Sequence, residues 1–439
     1  MSEPPPGWAE ATIPEVIGAR GLFSDGDWVE SKDQDPNGDV RLIQLADIGD
    51  GAFRDRSSRF LTSEAAARLR CTFLERGDVL VARMPDPLGR ACLFPGVGQA
   101  SVTAVDVCIV RPGEGSVDPR WLMWFINSSS FRSDVLALQA GTTRKRISRK
   151  NLATIALPVP PLNEQRRIVA AIEEHLSRLD AAQASLETAI ARARNFRDAV
   201  LEDAFGNHAP RRTVGEVAAL ADGPFGSNLK TSHYFAAGPR VVRLQNIGDG
   251  FFRDEKAHIS QEHFDQLSKH AVVPGDVIVA SLGDEAPRAC LVPEWLGDAI
   301  VKADCIRARP ETGVGGAYLM WALNSRPVKA QAATRIKGIG RPRLGLGGIR
   351  DLEIPVPPLE EQRRIVAEIE ERLGAIDALR AAIERAQRRG AALRRSVLER
   401  AFRGELVPQD PSDEPASVLL DRIRAERAAA TTARTRRPR

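Results

Sequence analysis

The chain has 439 residues, 43% hydrophobic and 27% charged, which is the composition of a water-soluble globular protein too long for one ordinary core. No apolar run is long enough to span a bilayer, and the acidic, proline-rich start "MSEPPPGWAEATIPE" lacks the basic and apolar stretches of a signal peptide. A net charge of +4 excludes a uniformly basic surface, and five cysteines (Cys71, Cys92, Cys108, Cys290, Cys305) without paired spacing fit neither a disulfide framework nor a CxxC metal site, so a reducing cytoplasm is expected.

In chain order, residues 1–157 are rich in Gly and Asp-Gly turns. The short apolar runs "DVLVAR" from Asp78 and "VDVCIV" from Val105, bounded by turn residues, predict buried strands. "PRWLMWFINSSSFRSDVLAL" from Pro119 predicts one helix carrying Trp121, Trp124 and Phe125 on one face. From Leu162 to Phe205 there is no Gly or Pro, and Ala, Glu, Arg and Leu dominate, which predicts a long helix. Pro160 and Pro161 fix its start, and Asn163 is the expected N-cap. Val169, Ile172, Leu176, Leu179, Gln183, Leu186, Ile190, Ala193, Arg197 and Val200 step by three and four, a heptad seam with polar interruptions at Gln183 and Arg197.

The second half repeats the first. "PVPPLNEQRRIVAAIEE" from Pro158 returns 197 residues later as "PVPPLEEQRRIVAEIEE" from Pro355. "RLIQLADIGDGAFRD" (Arg41–Asp55) returns as "RVVRLQNIGDGFFRD" (Arg240–Asp254), "RACLFPG" as "RACLVPE", and "WLMWFINS" as "YLMWALNS". The fold class expected is α+β: a tandem duplication of a mixed α/β globule followed by a long helix, the two helices pairing as an antiparallel coiled coil. The expected segments are a globule at 1–157, a helix at 158–206, a second globule at 207–354, a second helix at 355–404 and a C-terminal extension at 405–439. A helix of about 42 residues is roughly 60 Å long. Antiparallel pairing would set two similar heads at opposite ends of a spacer.

Just before each long helix lies a basic cluster. "GTTRKRISRK" holds Arg144, Lys145, Arg146, Arg149 and Lys150, and "RIKGIGRPRLGLGG" holds Arg335, Lys337, Arg341 and Arg343, both without an acid. Matching positive clusters are the expected footprint of phosphate contacts. The stretches from Phe23 and from Asp222 to the shared "IGDG" diverge, and Gln44 and Asp47 stand where the second copy has Arg243 and Asn246. With Asn228, Lys230 and Gln245 they supply polar groups able to meet base edges.

The catalytic inventory is nearly empty. There is no GxxxxGK[ST] loop, no GxGxxG after a strand, and no Asn/Asp-Pro-Pro-aromatic tetrapeptide. His258 and His263 are five apart and so miss the metal-binding i, i+4 spacing. The residues alone leave open a coiled-coil adaptor without DNA contact, and a nuclease for which no carboxylate cluster is seen.

Two globules, each followed by "PxPPLxEQRRIVxxIEE" and a long helix, resemble the specificity subunit of Type I restriction–modification systems over essentially the whole chain. "GPFGSNLK", "GTTRKRIS" and the ending "AFRGELVPQDPSDEPASVLLDRIRAER" are similar to recurring segments of that family. The resemblance implies a non-catalytic subunit whose two recognition domains read the halves of a bipartite site in double-stranded DNA. It also implies two modification subunits supplying S-adenosylmethionine-dependent adenine methylation, and restriction subunits supplying ATP-driven translocation and cleavage. No cofactor is expected in this chain. The first copy is expected to lack a counterpart of "GPFGSNLK", so base contacts are not carried between copies. The tail "TTARTRRPR" is a further basic segment.

Overall fold

The computed structural model describes residues 5–435, apart from 86, 142–144, 207, 208, 284, 285 and 339. Arg144 and the last four residues of the basic tail therefore lie outside the described residues. The chain forms two compact units, Met1–Ala184 with Ala386–Arg439, and Ser185–Arg385. Two long helices, Leu162–Phe205 and Leu359–Phe402, each contribute to both.

The first unit carries strands β1 (Ala9–Thr12), β2 (Leu22–Asp25), β3 (Val40–Ile43), β4 (Phe60–Leu61), β5 (Val79–Ala82), β6 (Ala91–Leu93), β7 (Ser101–Thr103), β8 (Val107–Arg111) and β9 (Ala156–Val159). They form an antiparallel sheet in the order β2-β8-β5-β6, a smaller mixed sheet β4-β3-β7, and a β1-β9 pair leading into the first long helix. The apolar run of β5 follows from its central place. Val79 and Val81 face one core with Trp121 and Phe125, while Leu80 and Ala82 face another with Ile43 and Phe94. A strand buried on both faces reads as a continuous hydrophobic run rather than an alternating one.

The second unit repeats this plan with β10 (Arg211–Thr213), β11 (Ala218–Ala221), β12 (Tyr234–Val242), β13 (His258–Ile259), β14 (Ala271–Val272), β15 (Val277–Ala280), β16 (Arg288–Leu291), β17 (Ala299–Val301), β18 (Cys305–Pro310) and β19 (Glu353–Pro355). The sheets run β11-β18-β15-β16 and β13-β12-β17-β14, with β10 paired to β19. The same side chains brace both copies. Asp78 and Arg111 form a charge-assisted pair at 2.6 Å, as do Asp276 and Arg309 at 2.7 Å.

The segment from Pro119 is two helices, Pro119–Ile126 and Ser129–Ala137, not one. Ser128 caps the second helix, and Asn127 turns sideways to exchange hydrogen bonds of 3.0 and 2.9 Å with the Ala91 backbone. Asn324 does the same at Ala289. A buried amide that satisfies a strand's donor and acceptor fixes that strand's position.

The repeated "EQRR" motif also has a local explanation. The Asp118 amide donates to Gln165 Oε1 at 2.9 Å, and Gln165 Nε2 donates to the Pro160 carbonyl. Gln362 binds Gly315 and Pro357 in the same way. Each buried glutamine thus fastens the start of a long helix to its own globule. Asn163 lies inside the first turn rather than capping it, because the Gln165 amide already donates to the Pro161 carbonyl.

Within each unit the start of one long helix packs against the end of the other. In the first, Ile168, Val169, Ile172 and Leu176 share a core with Ala401 and Phe402. In the second, Val200, Leu201 and Phe205 share one with Ile365, Ile369 and Leu373. These pairings are antiparallel, the arrangement expected of a chain that returns through its second globule. Phe402 meets the Trp121 and Phe125 rings at centroid distances of 6.4 and 5.1 Å, and Phe205 meets Tyr318 at 5.2 Å. Arg197, read from sequence as a polar break in the seam, turns onto the globule. Its guanidinium lies 2.6 Å from Asp249 and 5.7 Å from the centre of the Trp321 ring. The C-terminal helix Ala416–Thr435 adds Ala416, Leu419, Leu420 and Ile423 to the first unit's core.

Candidate nucleic-acid interface

Both basic clusters are loops returning to the end of the sheet's central strand. In the first, Ala140 and Arg146 form a bridge, and buried Ile147 donates its amide to the Arg83 carbonyl at 3.1 Å. In the second, Lys337 and Arg343 form the bridge, and buried Leu344 donates to the Ser281 carbonyl at 2.8 Å. One apolar residue thus pins each loop; beside Ile147 both Arg146 and Ser148 are exposed, and beside Leu344 Arg343 is half-buried.

Lys145, Arg146, Arg149 and Lys150 are exposed. The nearest acid to Arg146 is Asp106, at 3.6 Å, too far for a good hydrogen bond. Arg149 leans back on the globule, 3.3 Å from Asp25 and 5.6 Å from the centre of the Phe23 ring. In the second unit Lys337 is exposed, and Arg341 and Arg343 share Asp304 at 2.9 and 3.1 Å. Arg335 is half-buried and donates to the Gln331 carbonyl. The Arg149–Asp25 pair is exposed and holds its arginine weakly, leaving it available to a phosphate, whereas Arg341 and Arg343 meet a carboxylate only 13% exposed.

The polar candidates divide. Asn228, Lys230 and Gln245 are exposed, and Gln44 is half-buried. The Asn228 backbone is held where the His263 ring donates to its carbonyl at 2.9 Å. Asp47 and Asn246 are corrected by the structure: they are 0% and 1% exposed and face the protein. Asp47 accepts from the amides of Gln44, Arg56 and Ser57 at 2.8, 2.7 and 2.8 Å. Asn246 accepts from the Arg243 amide but donates to the carbonyls of Arg253 and Glu255, each at 2.8 Å. Both brace a turn, with opposite polarity toward the downstream segment.

Burial raises the Asp47 carboxyl, but the backbone and hydroxyl donors of Gln44, Ser57 and Arg56 together hold it below its ordinary value of 3.8. A lowered folded value contributes stability above the unfolded value that is lost as pH falls through the folded one. Asp47→Asn should therefore cost about 1–3 kcal/mol at pH 7, because the Arg56 and Ser57 amides then face an NH₂ group at a buried side chain. It should also flatten the loss of stability on acidification below pH 4. Thermal unfolding at pH 7 and pH 3.5 checks this, and an unchanged acid dependence would refute it.

The structure also reveals a correspondence between the divergent loops. Asp25-Gly26-Asp27-Trp28 occupies the place of Asp222-Gly223-Pro224-Phe225. Ser24 pairs with Ile109 on β8, and Ala221 pairs with Arg307 on β18, the same register in the two copies. A Cβ at Gly26 would overlap the Ala104 carbonyl, and one at Gly223 would overlap that of Lys302. The first copy does have a counterpart to the start of "GPFGSNLK". The only sequence signal for it was the shared Asp-Gly pair.

The remaining chemistry is quiet. Burial raises the thiols of Cys92, Cys108 and Cys290 to about 12, away from nucleophilic use. Among the described residues no group of three or more His, Cys, Asp or Glu could hold a metal ion, and no helix is long and apolar enough to cross a membrane.

Each unit is a mixed α/β globule with a pinned basic loop, joined to the start of one long helix and the end of the other. The family model described as the Type I restriction modification DNA specificity domain matches residues 7–191. The chain is 25% identical over 369 residues to the StySPI specificity subunit of Salmonella potsdam, covering 75% of this chain and 76% of that one. It is 25% identical over 347 residues to the EcoKI specificity subunit of Escherichia coli K12, covering 73% and 74%. A chain from a structure addressing assembly and conformational transition of the type I R-M system shares the fold, with a TM-score of 0.70, 21% identity and coverage of 92% and 100%. Residues 7–191 thus carry the Type I restriction modification DNA specificity domain, and the chain is similar along most of its length to Type I specificity subunits.

Proposed function

We propose that this chain selects the DNA target of a Type I restriction–modification complex, each unit reading one half of a bipartite site. The long helices set the gap between the halves. The observation that carries this is the recurrence, in both units, of an exposed basic loop pinned by one buried residue beside the same sheet end. The chain binds and positions; partner subunits do the chemistry. Two modification subunits carry S-adenosylmethionine and methylate adenine, and restriction subunits use ATP to translocate and cleave. In this reading the protein works in the cytoplasm, where its DNA target lies.

The test is a genome-wide map of N6-methyladenine after co-expression with the modification subunit in a host free of other modification. A split motif with a fixed gap is expected. Methylation that depends on this chain but follows no such motif would favour an adaptor role instead. Among the basic residues, Arg146→Ala should weaken binding to all duplexes alike. It should reduce the slope of log affinity against log salt by about one, as loss of a single phosphate contact requires. An unchanged slope would remove Arg146 from the interface.

A further inference from the structure

Trp28 and Phe225 occupy the same position in the two units, and both are exposed, at 68% and 44%. Large aromatics left in water at matching positions call for an explanation beyond folding, since neither closes a core. Each is held at the rim by a glycine whose missing side chain lets the backbone run hard against a neighbouring carbonyl, at Gly26 and at Gly223. Phe225 touches its unit's basic loop directly, and Trp28 is linked to its own through Asp25. Arg149 and Arg83 pair with Asp25, three residues before Trp28, and the Arg343 guanidinium lies 5.0 Å from the centre of the Phe225 ring. The Trp28 indole is oriented by its N–H, which donates to Glu30 at 3.2 Å, leaving the ring faces open.

We propose that Trp28 and Phe225 are the paired aromatic contacts of the two recognition domains, each laying its ring against bases of its half-site; this rests on the DNA-reading function above. An exposed ring near basic side chains suits duplex DNA, because it can wedge between base steps or meet a thymine methyl while the basic side chains meet the adjoining phosphates. The arrangement divides labour within each unit. The loop arginines supply sequence-independent attraction, and the ring supplies a contact that requires the half-site to be in register.

The test uses the full chain assembled with its modification subunit, and a duplex carrying the motif found by methylation mapping. Trp28→Ala and Phe225→Ala should each weaken binding about tenfold or more, with the salt slope unchanged, because no phosphate contact is lost. Trp28→Phe and Phe225→Trp should restore most of the affinity. Alanine variants that bind like the parent, with melting temperatures confirming the fold, would overturn the proposal. So would variants that keep DNA affinity but lose the modification subunit, which would place the rings at a protein contact. A parent complex that recognises no duplex would instead overturn the DNA-reading function, and the proposal with it.

Discussion

Phe402→Ala is expected to destabilise the first unit by about 3–5 kcal/mol, the cost of deleting a buried phenyl ring from a packed core. The ring sits at the end of the second long helix and wedges against Trp121 and Phe125, so its loss opens a cavity and loosens that helix end from the globule. Phe205→Ala should act in the same way on the second unit, through Tyr318. Phe402→Leu, which keeps most of the volume, should cost clearly less. Denaturant titration measures the change. A midpoint equal to the parent's would show that the aromatic cluster does not hold the helix end.

A seven-residue insertion at matching points in the middle of both long helices is expected to abolish methylation at the native site. A full heptad keeps the seam in register and lengthens each helix by about 10 Å. The favoured gap between half-sites should then grow by up to about three base pairs. The same insertion in one helix alone shifts the pairing of the two seams and should lower stability instead. Methylation mapping reads the first result and thermal melting the second. A double-insertion variant that still methylates the native motif would show that the helices do not set the gap.

Most of the architecture was written in patterns that survive duplication. The apolar runs of β5 and β15 were legible because both faces of those strands are buried, and the seam because its ends, at Val169, Ile172, Leu176 and Val200, are packed in the two cores. Asp47 and Asn246 were misread because their partners lie several residues downstream, and a divergent polar position in a loop looks the same whether it faces a base or a backbone amide. The partners of Arg197 were not legible because a heptad register cannot say that a globule stands beside the helix. The match of Trp28 to Phe225 was hidden because only an Asp-Gly pair is common to the two loops, while the equivalence resides in the pairing of β2 with β8 and of β11 with β18.

Each unit is assembled from the beginning of one long helix and the end of the other, and both beginnings carry nearly the same seventeen residues. A globule is therefore mounted between two interchangeable joints. Crossing-over between the two stretches of gene that encode these joints would remove or insert one globule together with one whole helix, in frame and with the seam unbroken. Crossing-over with the matching stretch of a relative would graft in a head of different preference at no cost to the mounting. New targets can then arise by trading whole heads, a larger step than point substitution allows and one that leaves the frame intact.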